Sequence, residues 1–249
     1  MKNLLIYINP SKKFDKEHSI LAKIQIDNSF DLGWKKKDIL LVTNFDYEYN
    51  GVKSLIVPDE LYYEPDPVST KASVVPYLLK QGIIKKDELY WCHDFDVYQN
   101  HVINEVDLEL SNVDLGLVSY GYKPVWNFGS FFFKYESKDI LDLLNKKMRE
   151  RLRPRADEKM LTKLTTRYNI VNNDRYKGLD VTYNFTMRCI QSNYLRAVKP
   201  LKVLHFHPWY QDDMLSDSCL NIFMYGKNRL KKPLMSERLI KIFNLHGIV

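Results

Sequence analysis

The stretch Leu89-Tyr90-Trp91-Cys92-His93-Asp94-Phe95-Asp96-Val97-Tyr98-Gln99 decides how the rest of the chain is read. Leu89 to Cys92 is an apolar run, as expected of a strand buried in a sheet, and it gives way to two carboxylates separated by one aromatic residue. Side chains alternate along an extended segment, so Asp94 and Asp96 are expected on the same side of it. Two like charges at a strand end are costly without a cation between them. A hard divalent ion, Mg²⁺ or Mn²⁺, is the natural occupant, and it would bring phosphate oxygens as further ligands. The competing reading is a solvated turn, because aspartate is common in turns.

Upstream, Leu4 to Ile8 reads as a first strand stopped by Asn9-Pro10-Ser11. His18 to Phe30 has helical spacing and closes near Gly33. Asp38 to Thr43 and Ser54 to Val57 are two further strands, and Asp59 to Val68 is a loop without a period. Thr70 to Ile84 is expected to be a helix, capped by Ser69 or Thr70 and bent at Pro76. Strands alternating with helices, with carboxylates at a strand's carboxyl end, predict an α/β fold with a central, mostly parallel sheet flanked by helices. Downstream, Val113–Val118 and Trp126–Phe133 read as strands. Ser137–Arg151 and Ala156–Tyr168 read as helices, the first capped by Ser137. Leu201–His207 is a late strand ending in two histidines, and Ser236–Leu245 is a basic terminal helix.

With 249 residues and 45% hydrophobic content the chain is long enough for a full core and is not disordered. One domain over 1–249 is expected, divided into stretches 1–100 and 101–210 and a basic helical extension (211–249). The net charge of +6 suits an anionic small molecule, a nucleic acid or an anionic membrane surface, and selects none of them. Cys92, Cys189 and Cys219 have no zinc-like spacing and are odd in number, which argues against a disulfide framework and for a reducing compartment. The short apolar N-terminal run fits a core strand better than a signal peptide, and no stretch approaches the roughly 20 apolar residues of a membrane span. A cytoplasmic protein is expected, in the host cytoplasm if the source is viral, with peripheral membrane contact left open.

Four pieces stand in order: Asp94-Phe95-Asp96; Trp126-Asn127-Phe128-Gly129-Ser130; Asp157-Glu158-Lys159-Met160-Leu161; and Val203-Leu204-His205-Phe206-His207-Pro208-Trp209. Together with Asp180-Val181-Thr182-Tyr183-Asn184-Phe185 they resemble the GT-A-fold glycosyltransferases of the glycogenin and lipopolysaccharide-galactosyltransferase type, over residues 1 to 210. Glu158 stands where that family usually has Gln, and His207-Pro208-Trp209 replaces its usual Gly and Lys-Pro-Trp. The resemblance implies a single GT-A-like domain that moves a sugar, a hexose by default, from a nucleotide-diphosphate sugar to a hydroxyl acceptor. UDP is the default nucleotide; the acceptor is a glycan, a lipid-linked glycan or a nucleic-acid base.

The resemblance and the residue chemistry assign the same roles. Asp94 and Asp96 hold Mn²⁺ or Mg²⁺, with His205 or His207 as a further ligand, and imidazole favours Mn²⁺. Asp94 also serves the donor, together with Asn9, Lys71, Asn127 and Gly129. Asp157 and Glu158 bind sugar hydroxyls or act as the general base. The run Arg149–Arg155 is a further phosphate candidate. Two alternatives stand beside this reading. A sugar-1-phosphate nucleotidylyltransferase would also want acidic metal ligands, but Asn9-Pro10-Ser11 is a poor phosphate loop. A non-catalytic, basic polyanion-binding or nucleic-acid-binding module is motivated by Lys227, Arg229, Lys231, Lys232, Arg238 and Lys241.

Overall fold

The apolar runs become strands. The structure, a computed structural model, describes residues 1–121, 124–150, 156–186, 190–207 and 233–248. Its strands are β1 (Lys2–Tyr7), β2 (Ile39–Thr43), β3 (Glu48–Tyr49), β4 (Val52–Ile56), β5 (Tyr90–His93), β6 (Val97–Gln99), β7 (Leu115–Ser119), β8 (Trp126–Phe133), β9 (Tyr176–Leu179), β10 (Phe185–Thr186) and β11 (Val203–His205). The α-helices are α1 (Lys16–Asp31), α2 (Lys71–Lys80), α3 (Glu105–Leu108), α4 (Lys138–Arg149), α5 (Ala156–Thr162), α6 (Ile190–Arg196) and α7 (Glu237–Leu245). Cys189, Cys219, Pro208, Trp209, the basic residues Lys227, Arg229, Lys231 and Lys232, and Arg151–Arg155 of the arginine run lie outside the described residues.

The chain divides into two compact units built from alternating segments. The first is Met1–Lys13, Lys37–Asp94 and Asn104–Leu179; the second is Phe14–Lys36, Phe95–Ile103 and Asp180–Val249. The first holds an eight-stranded sheet in the order β3-β4-β2-β1-β5-β8-β7-β9. Its middle, β4-β2-β1-β5, is parallel, and β8 runs antiparallel to both β5 and β7. β2 and β5 are buried almost throughout and β1 along Asn3–Leu5, which is why they read as apolar runs, whereas β4 exposes Lys53 and Ile56. α5 packs on β8, and α4 packs on α2 and α5. Ile140, Leu141, Leu144 and Met148 line the buried stripe of α4, spaced three and four apart, and join a core with Leu4, Val42, Leu117, Phe131 and Leu161. Each such side chain contributes about 1.5–3 kcal/mol on burial.

The second unit holds the three-stranded sheet β10-β11-β6. α1 packs on β6 and on α7. Tyr98 of β6 sets its ring edge-on to Phe206 and Phe243, at 5.5 and 5.0 Å between centroids. Buried polar groups fix the backbone. Asn100 donates to the carbonyls of Leu201 and Leu234 and accepts from the Ser236 N–H, while the Ser236 hydroxyl caps α7 by accepting from Leu239. Arg238 reaches Asn28, Asp31 and the Gln99 carbonyl.

Several boundaries differ from the sequence reading for local reasons. α1 starts at Lys16, because Asp15 caps it through the His18 N–H. Neither Ser69 nor Thr70 caps α2 with its side chain. The turn Pro67–Thr70 runs straight into the helix, the Thr70 hydroxyl accepts from the Tyr63 N–H, and Ser69 donates to Asp66. Ser137 likewise gives its hydroxyl to the Lys134 carbonyl instead of capping α4. α5 ends at Thr162, and the chain continues as a π turn over Lys163–Arg167. β3, β6, β9, α3 and α6 are short and were absent from the periodicity. Among the described residues, no helix is long and apolar enough to cross a membrane.

Candidate active site

Asp94 closes the first unit's carboxylate cluster. It follows the last residue of β5, and its N–H donates to the Gly129 carbonyl of β8 at 2.9 Å. Asn127 is buried and turns its Oδ1 back onto the Gly129 N–H at 3.0 Å. Asn127 and Gly129 thus brace the strand beside Asp94. The Lys71 ammonium, 5% exposed at the start of α2, is ion-paired with Asp94 and lies 5.8 Å from the Phe128 ring centroid. Burial opposes the lysine's charge, but Asp94 and Asp157 more than offset it and hold Lys71 firmly protonated.

Asp157 is 3% exposed in the first turn of α5. Burial pushes its carboxyl up to about 7; Lys71 opposes this, and Glu158 and Asp94 add to it. Glu158 accepts from the Tyr120 hydroxyl at 2.7 Å and the Phe128 N–H at 3.3 Å. His93 is buried and stacked on Trp91, with its ring nitrogens 2.8 Å from Asn3 Oδ1 and 3.0 Å from the Asp94 carbonyl. Cys92 beside it is fully buried, which raises its thiol's pKa and keeps it an unreactive core residue.

The chain passes from the first unit to the second between Asp94 and Phe95. In the second unit Asp96, His205 and His207 come together, with one potential ligand atom from each within 4.8 Å of the others. Asp96 extends the ladder by one residue: its carbonyl accepts from the Phe206 N–H at 3.0 Å, next to the β6–β11 pair Val97–His205. Phe95 turns inward and packs against Phe14 and His18, so the aromatic centre of the Asp-Phe-Asp stretch is a packing residue. Gln25 of α1, itself buried, donates to the carbonyls of Phe95 and Val97 on either side of Asp96 at 3.1 and 2.7 Å. Gln25→Ala removes both of these buried hydrogen bonds and is expected to cost about 2 kcal/mol of stability in a denaturant titration.

His205 is 2% exposed. Its Nδ1 lies 2.9 Å from Asn184 Oδ1, and its Nε2 lies 3.4 Å from Asp96 Oδ1. An amide oxygen on Nδ1 suits the tautomer with the proton there, the form in which Nε2 would be open to an ion on the Asp96 side. A carboxylate and an imidazole nitrogen held this way fit a divalent metal of the Mn²⁺ type. His207 has φ of 49°, a left-handed conformation that few residues with side chains adopt, and its ring stacks on His205 at 3.6 Å and 18°. Imidazole lone pairs lie in the ring plane, so two stacked rings aim them along parallel lines. Asp96, His205 and His207 could hold one ion between them, since each places a potential ligand atom within 4.8 Å of the others.

Asp96, His205 and His207 form one group; Lys71, Asp94, Asp157 and Glu158 form another, braced by Asn127 and Gly129. Asn9 bonds with Tyr7, Ser11 and Asn44. Arg149 reaches Asn145, Ser73 and the Glu60 carbonyl. Gln25, Tyr120 and Asn184 were not singled out as site residues. Asn184 alone carried a signal, through the Tyr183-Asn184-Phe185 likeness.

No family model matches the sequence, and no curated protein matches it in sequence. Solved structures do match in fold. A galactosyltransferase, LgtC, solved with donor and acceptor sugar analogues, superposes with a TM-score of 0.60 at 11% identity, covering 99% of this chain and 95% of that one. The glycosyltransferase GlyE of Streptococcus pneumoniae TIGR4 gives a TM-score of 0.55 at 11% identity, over 100% of this chain and 61% of that one. A glycosyltransferase involved in glycosylation of the major capsid of PBCV-1 gives 0.52 at 14% identity, over 84% and 95%. The mixed sheet with flanking helices is the GT-A fold of these proteins.

Proposed function

We propose that the protein is a metal-dependent glycosyltransferase that moves a sugar from a nucleotide-diphosphate sugar, UDP-linked by default, to a hydroxyl acceptor. The observation that carries this reading is the group Asp96–His205 with Asn184 on the His205 Nδ1, on a fold shared with glycosyltransferases. Asp96 and His205 hold the divalent ion, Mn²⁺ in preference to Mg²⁺ because one ligand is an imidazole. Bound there, the ion offsets the charge that develops on the departing nucleotide diphosphate.

The chain's own residues supply the rest. Lys71 holds Asp94 in place through an ion pair, and Asp94 faces the donor. Asp157, whose carboxyl titrates near neutral pH, binds a sugar hydroxyl, donating to it when protonated and accepting when not. Glu158 takes the acceptor hydroxyl's proton as the bond to the sugar forms. The test is incubation of the protein with UDP-glucose, UDP-galactose and UDP-N-acetylglucosamine in Mn²⁺, reading UDP release with water as the acceptor. Release from one donor that stops on adding EDTA is the expected result. No release from these donors or from their GDP and CDP counterparts contradicts the reading.

A further inference from the structure

Asp157 and Glu158 are neighbours on α5, yet their surroundings differ. Asp157 is enclosed, and its Oδ1 accepts from the Glu158 N–H at 2.7 Å. Glu158 is partly exposed, and only Oε1 is engaged: it takes the Tyr120 hydroxyl at 2.7 Å and the Phe128 N–H at 3.3 Å. Among the described residues, Oε2 has no hydrogen-bond partner. Tyr120 is 4% exposed and is fixed at the end of β7, where its N–H donates to the Val125 carbonyl at 3.1 Å and Gly121 turns the chain with φ of 84°. The Phe128 N–H comes from β8, on which α5 packs.

Two donors from two strands converge on one carboxylate oxygen. Hydrogen bonds to a carboxylate are roughly twice as strong as neutral ones, and two of them on one oxygen hold the group in one orientation. A buried phenol needs a partner in any case, and a backbone carbonyl would serve that need equally well. The choice of a carboxylate whose second oxygen stays uncommitted is what a purely structural role leaves unexplained.

We propose that Tyr120 is a positioning residue for the transfer: together with the Phe128 N–H it occupies Oε1 of Glu158 and presents Oε2 to the reacting hydroxyl. This rests on the glycosyltransferase reading. In the step it serves, Oε2 takes the acceptor hydroxyl's proton, the hydroxyl oxygen bonds to the anomeric carbon, and the bond from that carbon to the donor phosphate breaks, its electron pair leaving with the nucleotide diphosphate. A carboxylate free to rotate presents either oxygen at random and loses part of this advantage.

The experiment is a double-mutant cycle on the full chain, with Tyr120→Phe, Glu158→Gln and the double variant. UDP release is measured in Mn²⁺ from whichever of UDP-glucose or UDP-galactose the wild type hydrolyses, alongside calorimetric UDP binding and thermal melting. Tyr120→Phe is expected to lower kcat about tenfold, with KM and UDP affinity within about twofold of wild type. In the Glu158→Gln background the same change is expected to alter kcat less than twofold. Equal losses in both backgrounds, or an unchanged kcat in Tyr120→Phe, overturn the proposal while leaving the glycosyltransferase reading intact. A wild type that neither binds UDP, GDP or CDP nor releases them from their sugars removes both. If Tyr120→Phe does not fold, Glu158→Asp gives the same reading: it keeps the charge but withdraws it from Tyr120, so a tenfold loss is expected and full activity overturns the proposal.

Discussion

Replacing Asp96 or His205 with alanine lowers Mn²⁺-dependent UDP affinity about 100-fold or more. These are the two groups whose geometry already suits a shared ion: the His205 Nε2 stands 3.4 Å from the Asp96 carboxylate, and its Nδ1 lies against Asn184 Oδ1. Loss of a groups-orienting partner costs 10–100-fold in comparable metal sites, so Asn184→Ala is expected to cost about tenfold and loss of a ligand more. His207→Ala costs less than either ligand, because its ring is stacked on His205 and its lone pair runs parallel to that of His205. Calorimetry with the ion and with EDTA separates these cases. An Asp96→Ala protein that binds UDP as tightly in Mn²⁺ as the wild type shows that the ion is held elsewhere.

The stability of the protein falls by about 4 kcal/mol as pH rises from 4 to 8, on account of Asp157. Its carboxyl is pushed up to about 7 in the fold, first by burial and further by Glu158 and Asp94, against a value of 3.8 for the free group. Between those values the folded protein keeps a proton that the unfolded chain has already released. Raising the pH therefore favours unfolding across that window, and the trend levels off above about 7, where the folded state also loses the proton. The contribution is complete below about 4 and gone above about 7. Three pKa units at about 1.4 kcal/mol each give the figure, of which roughly 3 kcal/mol falls between pH 5 and 8. Asp139 and Glu109 are held below the ordinary carboxylate range by Arg175 and Lys177, so they contribute with the opposite sign, gaining stability as pH rises through the unfolded carboxylate range. His101, whose pKa burial lowers, tilts the curve in that direction too. The comparison that isolates Asp157 is denaturant unfolding of wild type and Asp157→Asn at pH 5 and pH 8. The variant is expected to lose the downward slope; identical slopes contradict the assignment.

The alternating strands and helices of the first hundred residues were legible because they are long and buried. Leu4-Leu5-Ile6 and Ile39-Leu40-Leu41-Val42 have no reading other than sheet interior, and Trp126–Phe133 matches its predicted range. The Asp-x-Asp stretch stood out because charge at a strand end demands a partner. What remained hidden was mostly a matter of tertiary pairing. Val97-Tyr98-Gln99 becomes a strand only because Val203-Leu204-His205 lies beside it, a pairing across more than a hundred residues. The chain also passes from one compact unit to the other between Asp94 and Phe95, which no pattern in the sequence marks. Lys71 then takes Asp94, and His205 takes Asp96. Gln25 and Tyr120 resemble any other polar helix residue or tyrosine in the sequence. Their roles arise from the carbonyls and the carboxylate that the fold brings to them.

The central claim is that Asp96 and His205 hold a divalent ion through which a nucleotide diphosphate binds. Its most direct test is a calorimetric titration of UDP into the wild-type protein in Mn²⁺, repeated after EDTA. The account predicts saturable one-to-one binding that disappears when the ion is removed. Equal binding with and without the ion, or no binding of UDP, GDP or CDP in either condition, contradicts it.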